Sequence, residues 1–385
     1  MPRGEIAAEE LFDLAATLVS IDSINPDLVP GSRGEGEVGA FVAEWARKKR
    51  LDVDIQETGL PGRPNVIATA RGTGAGRSLM LNAHMDTVGV SGMENPFRPI
   101  RRDGRLWGRG SMDTKAALAA FMMAAAEARE RRLRGDVILT AVVDEEYASA
   151  GTEAVVKSWK AEAAIVGEPT GLQIVIAHKG FAWLEIETQG VAAHGSRPDA
   201  GVDAIARMGR VLVALEDLGR SLASGPSHRL LGTGSVHASL ISGGQELSSY
   251  PASCRLSIER RTIPGEKAVF VETQLRDDLA RMAQMDPAFK AKVRTIFSRE
   301  PMEISRRAPV VEALAAAFEE ATGSRAMLGG MSAWMDSSLL SAAGIPAAIM
   351  GPVGEGLHGV NEWVDLASVR TVSDVALKMI CSFCS

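Results

Sequence analysis

Val137-Ile138-Leu139-Thr140-Ala141-Val142-Val143, followed at once by Asp144-Glu145-Glu146-Tyr147, is the stretch on which the reading of the fold turns. A short apolar run with β-branched residues reads as a buried strand. Three adjacent carboxylates at its end repel one another. A metal ion is the usual reason to tolerate that, and it would leave one carboxylate free to carry a proton. The plain alternative is a solvated acidic loop. Upstream lies an Ala-rich segment, 115–129, that reads as a helix, and before it strand-like pieces at 52–55, 65–68 and 78–83. Downstream come a helix at 151–159 and a strand at 163–167. Such β-α-β alternation predicts a largely parallel sheet covered on both faces. Toward the N-terminus, Leu11, Phe12, Leu14, Ala15 and Leu18 recur at helical spacing over 8–20. Val38, Phe41, Val42 and Trp45 repeat the pattern over 37–50, which ends in the basic turn Arg47-Lys48-Lys49-Arg50.

From 181 the pattern changes. Phe181-Ala182-Trp183-Leu184-Glu185-Ile186-Glu187-Thr188 alternates apolar and polar residues with period two. A helix is expected at 201–217, strands at 234–241 and 252–259, and a helix at 266–283. This order describes an antiparallel, ferredoxin-like α+β sheet with one face covered. Helices at 309–321 and 335–343 and a strand at 346–350 then resume the first pattern. At 385 residues the chain exceeds the roughly 250–300 that one core usually serves. The fold class read here is α/β: a mostly parallel-sheet domain, 1–180 and 297–385, with an inserted α+β domain at 181–296.

Hydrophobic residues make up 46% and charged residues 23%, which excludes wholesale disorder. The net charge of −6 gives no grip on a phosphate backbone, so no nucleic-acid partner is expected. No apolar run reaches the ~18–20 residues of a membrane span, and Met1–Ile6 lacks the features of a secretory leader. Three cysteines, Cys254, Cys381 and Cys384, cannot build a disulfide framework and read as ordinary thiols. A cytoplasmic enzyme that does not engage membranes is the expectation.

Four further segments carry candidate chemistry. His84 and Asp86 stand in Leu81-Asn82-Ala83-His84-Met85-Asp86, at the end of a strand, where the carboxylate can orient the imidazole. Asp113, in Gly108-Arg109-Gly110-Ser111-Met112-Asp113-Thr114-Lys115, precedes the Ala-rich helix and reads as a ligand or as a helix cap. Glu168 ends the strand Ala164-Ile165-Val166-Gly167. His358 sits in the Gly-rich loop Gly351–Trp363. Loops that follow parallel strands gather at one sheet edge. Mixed His and carboxylate donors there suit zinc, with cobalt or manganese as alternatives. Five candidates exceed one open site and fit two ions about 3.5–4 Å apart that share a carboxylate and a water.

In these ordered motifs the chain resembles, nearly end to end, the di-zinc metallopeptidases and amide hydrolases that include acetylornithine deacetylase, succinyl-diaminopimelate desuccinylase, aminoacylase and the glutamate carboxypeptidase of pseudomonads. The resemblance implies a catalytic role for the parallel-sheet domain, a lid or dimerisation role for the insert, and two Zn²⁺ per subunit. Asp113 would bridge them, with His84 and Glu168 completing one site and Glu146 and His358 the other. It implies Glu145 as general base, Asp86 as support for His84, and a cis peptide bond after Asp113. His194, in Gly190–Pro198, matches a lid histidine that reaches the partner subunit's site. Arg261, in Glu259-Arg260-Arg261-Thr262, matches an arginine that holds a substrate carboxylate. Asp336 follows the Gly-rich stretch Gly329–Met335 and would touch substrate or cap the next helix. The segment Gln245–Pro251 departs from the family, since many relatives carry an Asn there. Its Glu246 reads as a partner for a cationic substrate group or as a surface residue.

The implied activity is hydrolysis of an amide bond next to a carboxylate, most directly deacylation of an N-acyl amino acid, by a homodimer paired through the lid. A carboxypeptidase or dipeptidase using the same residues is the alternative. A zinc aminopeptidase has no evident need for Arg261. A dead binding protein on the same fold has no reason to keep all five ligands and Glu145.

Overall fold

Helix α1 (Ala8–Ser20) opens the part of the chain that the computed structural model describes, residues 6–385. Its buried residues Leu11, Leu14, Ala15, Leu18 and Val19 recur every three or four positions, so one stripe faces the core. Next come α2 (Gly36–Lys48), β1 (Asp52–Gln56), β2 (Asn65–Ala70), β3 (Leu79–His84), α3 (Ala116–Arg129), β4 (Val137–Val142), α4 (Ala150–Ser158), β5 (Ala163–Val166) and β6 (Ile174–His178). The chain then builds β7 (Gly180–Gln189), α5 (Ala204–Ser224), β8 (Ser235–Gly243), β9 (Ser253–Thr262), α6 (Ala268–Met285) and β10 (Lys290–Arg299). It closes with α7 (Pro309–Thr322), α8 (Ser337–Ala342), β11 (Ala347–Ile349) and α9 (Leu366–Phe383). These elements form two compact units. One holds the residues up to Ile176 with Ile304–Gly329 and Met335–Ser385; the other holds Ala177–Glu303 and Gly330–Trp334.

The first unit is built on a mixed sheet of order β1-β2-β4-β3-β5-β11-β6. Its centre is parallel: β4 with β3, β3 with β5, and β5 with β11. The flanking pairs β1–β2, β2–β4 and β11–β6 are antiparallel. Every residue of β2, β3 and β4 is buried, as a sheet covered on both faces requires. Helix α3 is buried nearly all round. Its alanines let it lie close to both the sheet and α9, where Ser373 Oγ donates to Ala120 O at 3.0 Å.

The second unit is a four-stranded antiparallel sheet of order β8-β9-β7-β10. Leu184, Ile186, Leu256 and Ile258 alternate onto one face, where Met208, Val211 and Leu215 of α5 and Leu275 of α6 cover them. Helix α5 starts at 204 rather than 201 because Asp203 caps it, its carboxylate accepting from Ala206 N at 2.9 Å. Strand β10 runs through 296, where the sequence reading ends the insert. A register shift between Thr295 and Phe297 breaks its alternation there.

Candidate metal centre

Four loops leave the carboxyl ends of β4, β3, β5 and β11, which are parallel neighbours, so they share one edge. They carry Asp144–Glu146, His84 with Asp86, Glu168, and the 351–358 segment. Helix α3 starts from the same edge, which brings Asp113 there. The turn ahead of α3 is closed by Lys115 N donating to Gly110 O at 2.9 Å, and Thr114 Oγ1 donates to Gly167 O at 2.6 Å. The Asp113–Thr114 peptide bond is cis.

The structure brings all five candidate ligands together. Asp113 lies between the two histidines: His84 Nε2 is 3.1 Å from Oδ1, and His358 Nε2 is 3.3 Å from Oδ2. Glu168 Oε1 is 3.8 Å from His84 Nε2, and Glu146 Oε2 is 3.2 Å from His358 Nε2. Each oxygen of Asp113 thus faces one histidine–glutamate pair. Ligand atoms of His84, Glu145 and Glu168 converge, as do those of His84, Asp113 and Glu146, in each case within 4.8 Å of one another. Asp86 stands behind His84, with its backbone O 3.0 Å and its Oδ1 3.5 Å from Nδ1.

The electrostatics show what the donor set lacks. Burial pushes the Glu145 carboxyl well above the usual range, and Glu168 beside it adds to the rise. Burial likewise raises Glu168, with Asp113 contributing, and lifts Glu146 to about 7. Hydrogen bonds to Asp113 and Glu146 raise His358 to about 10. For His84, burial opposes the cation, but Asp113 and Asp86 outweigh it and the pKa lies well above normal. Burial also opposes the Asp113 anion, yet the two histidines hold its pKa below the usual range. Three glutamates that resist ionisation and two histidines that favour the cation mark a cluster short of positive charge. Glu146 Oε1 is buried and has no hydrogen-bond partner. Divalent cations would supply both the missing charge and the missing partner, so these residues fit a pair of them.

Asp336 is buried at 1% exposure, and its side chain makes no cap to α8. It accepts from Thr152 Oγ1 at 2.5 Å, and its other oxygen has no partner. Burial raises its pKa to about 6. Two residues that sequence reasoning missed complete the surroundings. Glu362, fully buried, accepts the backbone N–H groups of Gly110, Met112 and Asp113 at 3.0, 2.9 and 3.2 Å. Arg109 donates to Glu362 at 2.6 Å and to Gly359 O at 3.0 Å, joining the Asp113 turn to the His358 loop. Their only signal in the sequence was a charged residue inside each of two Gly-rich segments.

His194 and Arg261 belong to the second unit. His194 is exposed, and its Nδ1 accepts Ser196 N–H at 3.2 Å, so the neutral ring carries its proton on Nε2. Its loop is braced by Gly195 N to Ser248 O at 2.6 Å and Tyr250 N to Ala193 O at 2.8 Å. Strand alternation separates the two neighbouring arginines. Arg260 is buried and pairs with Glu266 at 2.6 Å, whereas Arg261 is partly exposed, pairs with Glu259 and lies 5.5 Å over the Phe181 ring. Glu246 is exposed, with Ser249 Oγ donating to it. The three cysteines are free, and no described helix is long and apolar enough to cross a membrane.

Residues 80–382 match the profile of peptidase family M20/M25/M40. The chain is 31% identical over 382 residues to acetylornithine deacetylase of Myxococcus xanthus, covering 95% of this chain and 96% of that protein. It is 29% identical to the N-formyl-4-amino-5-aminomethyl-2-methylpyrimidine deformylase of Bacillus subtilis, over 98% of this chain and 95% of the relative. In fold it matches a tripeptidase of Staphylococcus aureus with a TM-score of 0.81 at 21% identity, covering 99% of this chain and all of the other. An M20 family metallo-carboxypeptidase of Sulfolobus solfataricus superimposes with a TM-score of 0.75 at 18% identity, covering 97% and 98%.

Proposed function

The chain belongs to peptidase family M20/M25/M40 and is a hydrolase, and we propose that it removes the acyl group from an N-acyl amino acid. The observation that carries the proposal is the placement of the Asp113 carboxylate between His84 and His358, with Glu145 in the same cluster. Two Zn²⁺ ions, with cobalt or manganese as alternatives, would be held by His84, Asp113 and Glu168 and by Asp113, Glu146 and His358. Bound there, they would polarise the scissile carbonyl and acidify a water. Glu145 would take a proton from the attacking water and return it to the leaving nitrogen, acting first as base and then as acid. Its raised pKa in the metal-free protein suits a group that must hold a proton between those two events.

Arg261 binds the substrate's free carboxylate through a charge-assisted pair, which fixes the amide for attack. His194, with its proton on Nε2, donates to the carbonyl oxygen. It does so from a homodimer partner, and the pairing surface is β8 with α5. That edge strand exposes Leu240 and Ile241, and the helix exposes Ile205 and Val213. Asp336 is assigned to the substrate side through its neighbours rather than by contact, because it is buried. A cytoplasmic setting belongs to the same proposal.

The test is a panel of N-acetyl, N-succinyl and dipeptide substrates, run with metal analysis of the purified protein. Turnover of the N-acyl amino acids supports the proposal. Exclusive turnover of dipeptides moves the assignment to a dipeptidase or carboxypeptidase, and absence of bound divalent metal from active protein refutes the centre itself.

A further inference from the structure

Beneath the turn that carries Glu145 lies a run of buried polar groups that hold no ligand themselves. At Asp144 the backbone takes φ 68°, a left-handed conformation that a non-glycine residue adopts at a cost. Its N–H donates to Glu35 Oε1 at 3.0 Å. Its carboxylate accepts from Asn25 Nδ2 at 3.0 Å, Arg63 Nη2 at 3.1 Å and Ala150 N at 3.2 Å. The next two N–H groups, of Glu145 and Glu146, donate to the two oxygens of Asp86 at 3.1 Å each. Asp144 and Asp86 therefore grip the same three-residue turn from two sides.

Both of these carboxylates are buried, at 1% and 0% exposure, and repel each other. The fully buried Asn25 amide joins them: one nitrogen donates to Asp86 Oδ2 at 2.9 Å and to Asp144 Oδ1 at 3.0 Å. A neutral NH₂ with two protons suits that place, since a carboxylate would add charge and an aliphatic chain would leave two anions short of donors. Asn25 is itself anchored. Its N–H donates to Thr87 O at 2.9 Å, and its Oδ1 accepts from Asp27 N at 3.0 Å. Arg63 completes the frame by pairing with Glu35 at 2.5 and 2.8 Å.

We propose that Asn25 is a positioning residue for the reaction: its amide ties Asp86 to Asp144 and so sets where the Glu145 carboxylate lies. This rests on the reading of Glu145 as the proton carrier. The test compares wild type, Asn25→Leu, Glu145→Gln and the double variant as metal-loaded enzymes on an N-acetyl amino acid. Asn25→Leu should lower kcat roughly 10- to 100-fold, because a small misplacement of a catalytic group costs that much. KM should stay within about threefold and metal content should be unchanged. In the Glu145→Gln background the same substitution should cost less than about threefold further, since there is no base left to misplace. Three results overturn the proposal: a kcat within about threefold of wild type, an equal loss in both backgrounds, or a loss accounted for by missing metal. Should Asn25→Leu fail to fold, Asn25→Ser, which keeps one donor and leaves room for a water, is judged by the same criteria. The reading of Glu145 fails separately, by near-normal turnover of Glu145→Gln alone.

Discussion

Replacing Glu362 by Gln removes a charge at the junction of two loops that carry candidate ligands. Glu362 and Arg109 are 0% and 3% exposed and 2.6 Å apart, so neither can turn to water when the other is lost. Three backbone N–H groups, of Gly110, Met112 and Asp113, also end on this carboxylate. Glutamine offers a single acceptor oxygen, and its NH₂ would face donors. Adding all four hydrogen bonds at ~1.5–3 kcal/mol each would double count, since the amide oxygen of glutamine keeps part of them. Removing one partner of a buried pair costs about 3–5 kcal/mol, and that is the expected loss. Set against a total stability of about 5–15 kcal/mol, it is large. For a unit of this size each kcal/mol moves Tm by roughly 2–4 °C, so thermal denaturation should shift down by about 6–20 °C. The companion double variant, Glu362→Gln with Arg109→Met, removes both charges while keeping an acceptor oxygen for the turn's N–H groups, and should recover at least half of that loss. A shift below about 3 °C for Glu362→Gln, or a double variant no better than the single one, would refute the reasoning.

Glu145→Ala should retain bound metal and lose at least about 10²-fold in kcat; near-normal turnover would reject Glu145 as the proton carrier. Arg261→Ala should raise KM for substrates with a free carboxylate far more than for their carboxamides, and equal effects on the two would remove its anchoring role. Loading of the metal-free protein should release protons. His358, raised to about 10, is protonated at pH 7, so affinity at its site should rise about tenfold per pH unit per proton released, up to about pH 10. A pH-independent affinity measured by competition with a chelator would contradict this.

Much of the first unit was legible because its elements follow local rules. Val137–Val142 is buried along its whole length, and its continuous apolar run says so. Leu11, Leu14 and Leu18 keep helical spacing because α1 buries a single stripe. Legibility failed where a long-range constraint broke the local period. Lys290–Arg299 shifts register near Phe297 and carries Lys and Arg throughout, and the sequence reading placed no strand there. Residues 330–334 join the second unit without any compositional mark. The site divides in the same way. His84, Glu146 and Glu168 stand where strands end, which is visible in one dimension. Asn25, Arg63 and Glu362 are ordinary turn or surface residue types whose partners lie 61, 81 and 253 positions away. Only Glu362 carries a local mark, a charge at the end of a Gly-rich segment.

Proximity alone does not assign Glu145. Its carboxylate converges with His84 and Glu168 as closely as Glu146 converges with His84 and Asp113. Two arguments separate the neighbours. On the proposed assignment His84, Asp113 and Glu168 would offer three donors to one ion, and a catalytic site keeps its fourth position for water, whereas a fourth protein ligand would close it. The other oxygen-rich side needs Glu146, because His358 and Asp113 alone supply only two donors there, and Glu146 Oε2 lies 3.2 Å from His358. A single Asp86 fixes the N–H groups of both residues, so the two carboxylates are held in one turn. If Glu145 were instead a ligand, Glu145→Gln would lower metal stoichiometry in step with activity. If it is the base, activity falls while two ions per subunit remain. Equilibrium dialysis of that one variant against zinc decides between a closed structural site and an open catalytic one.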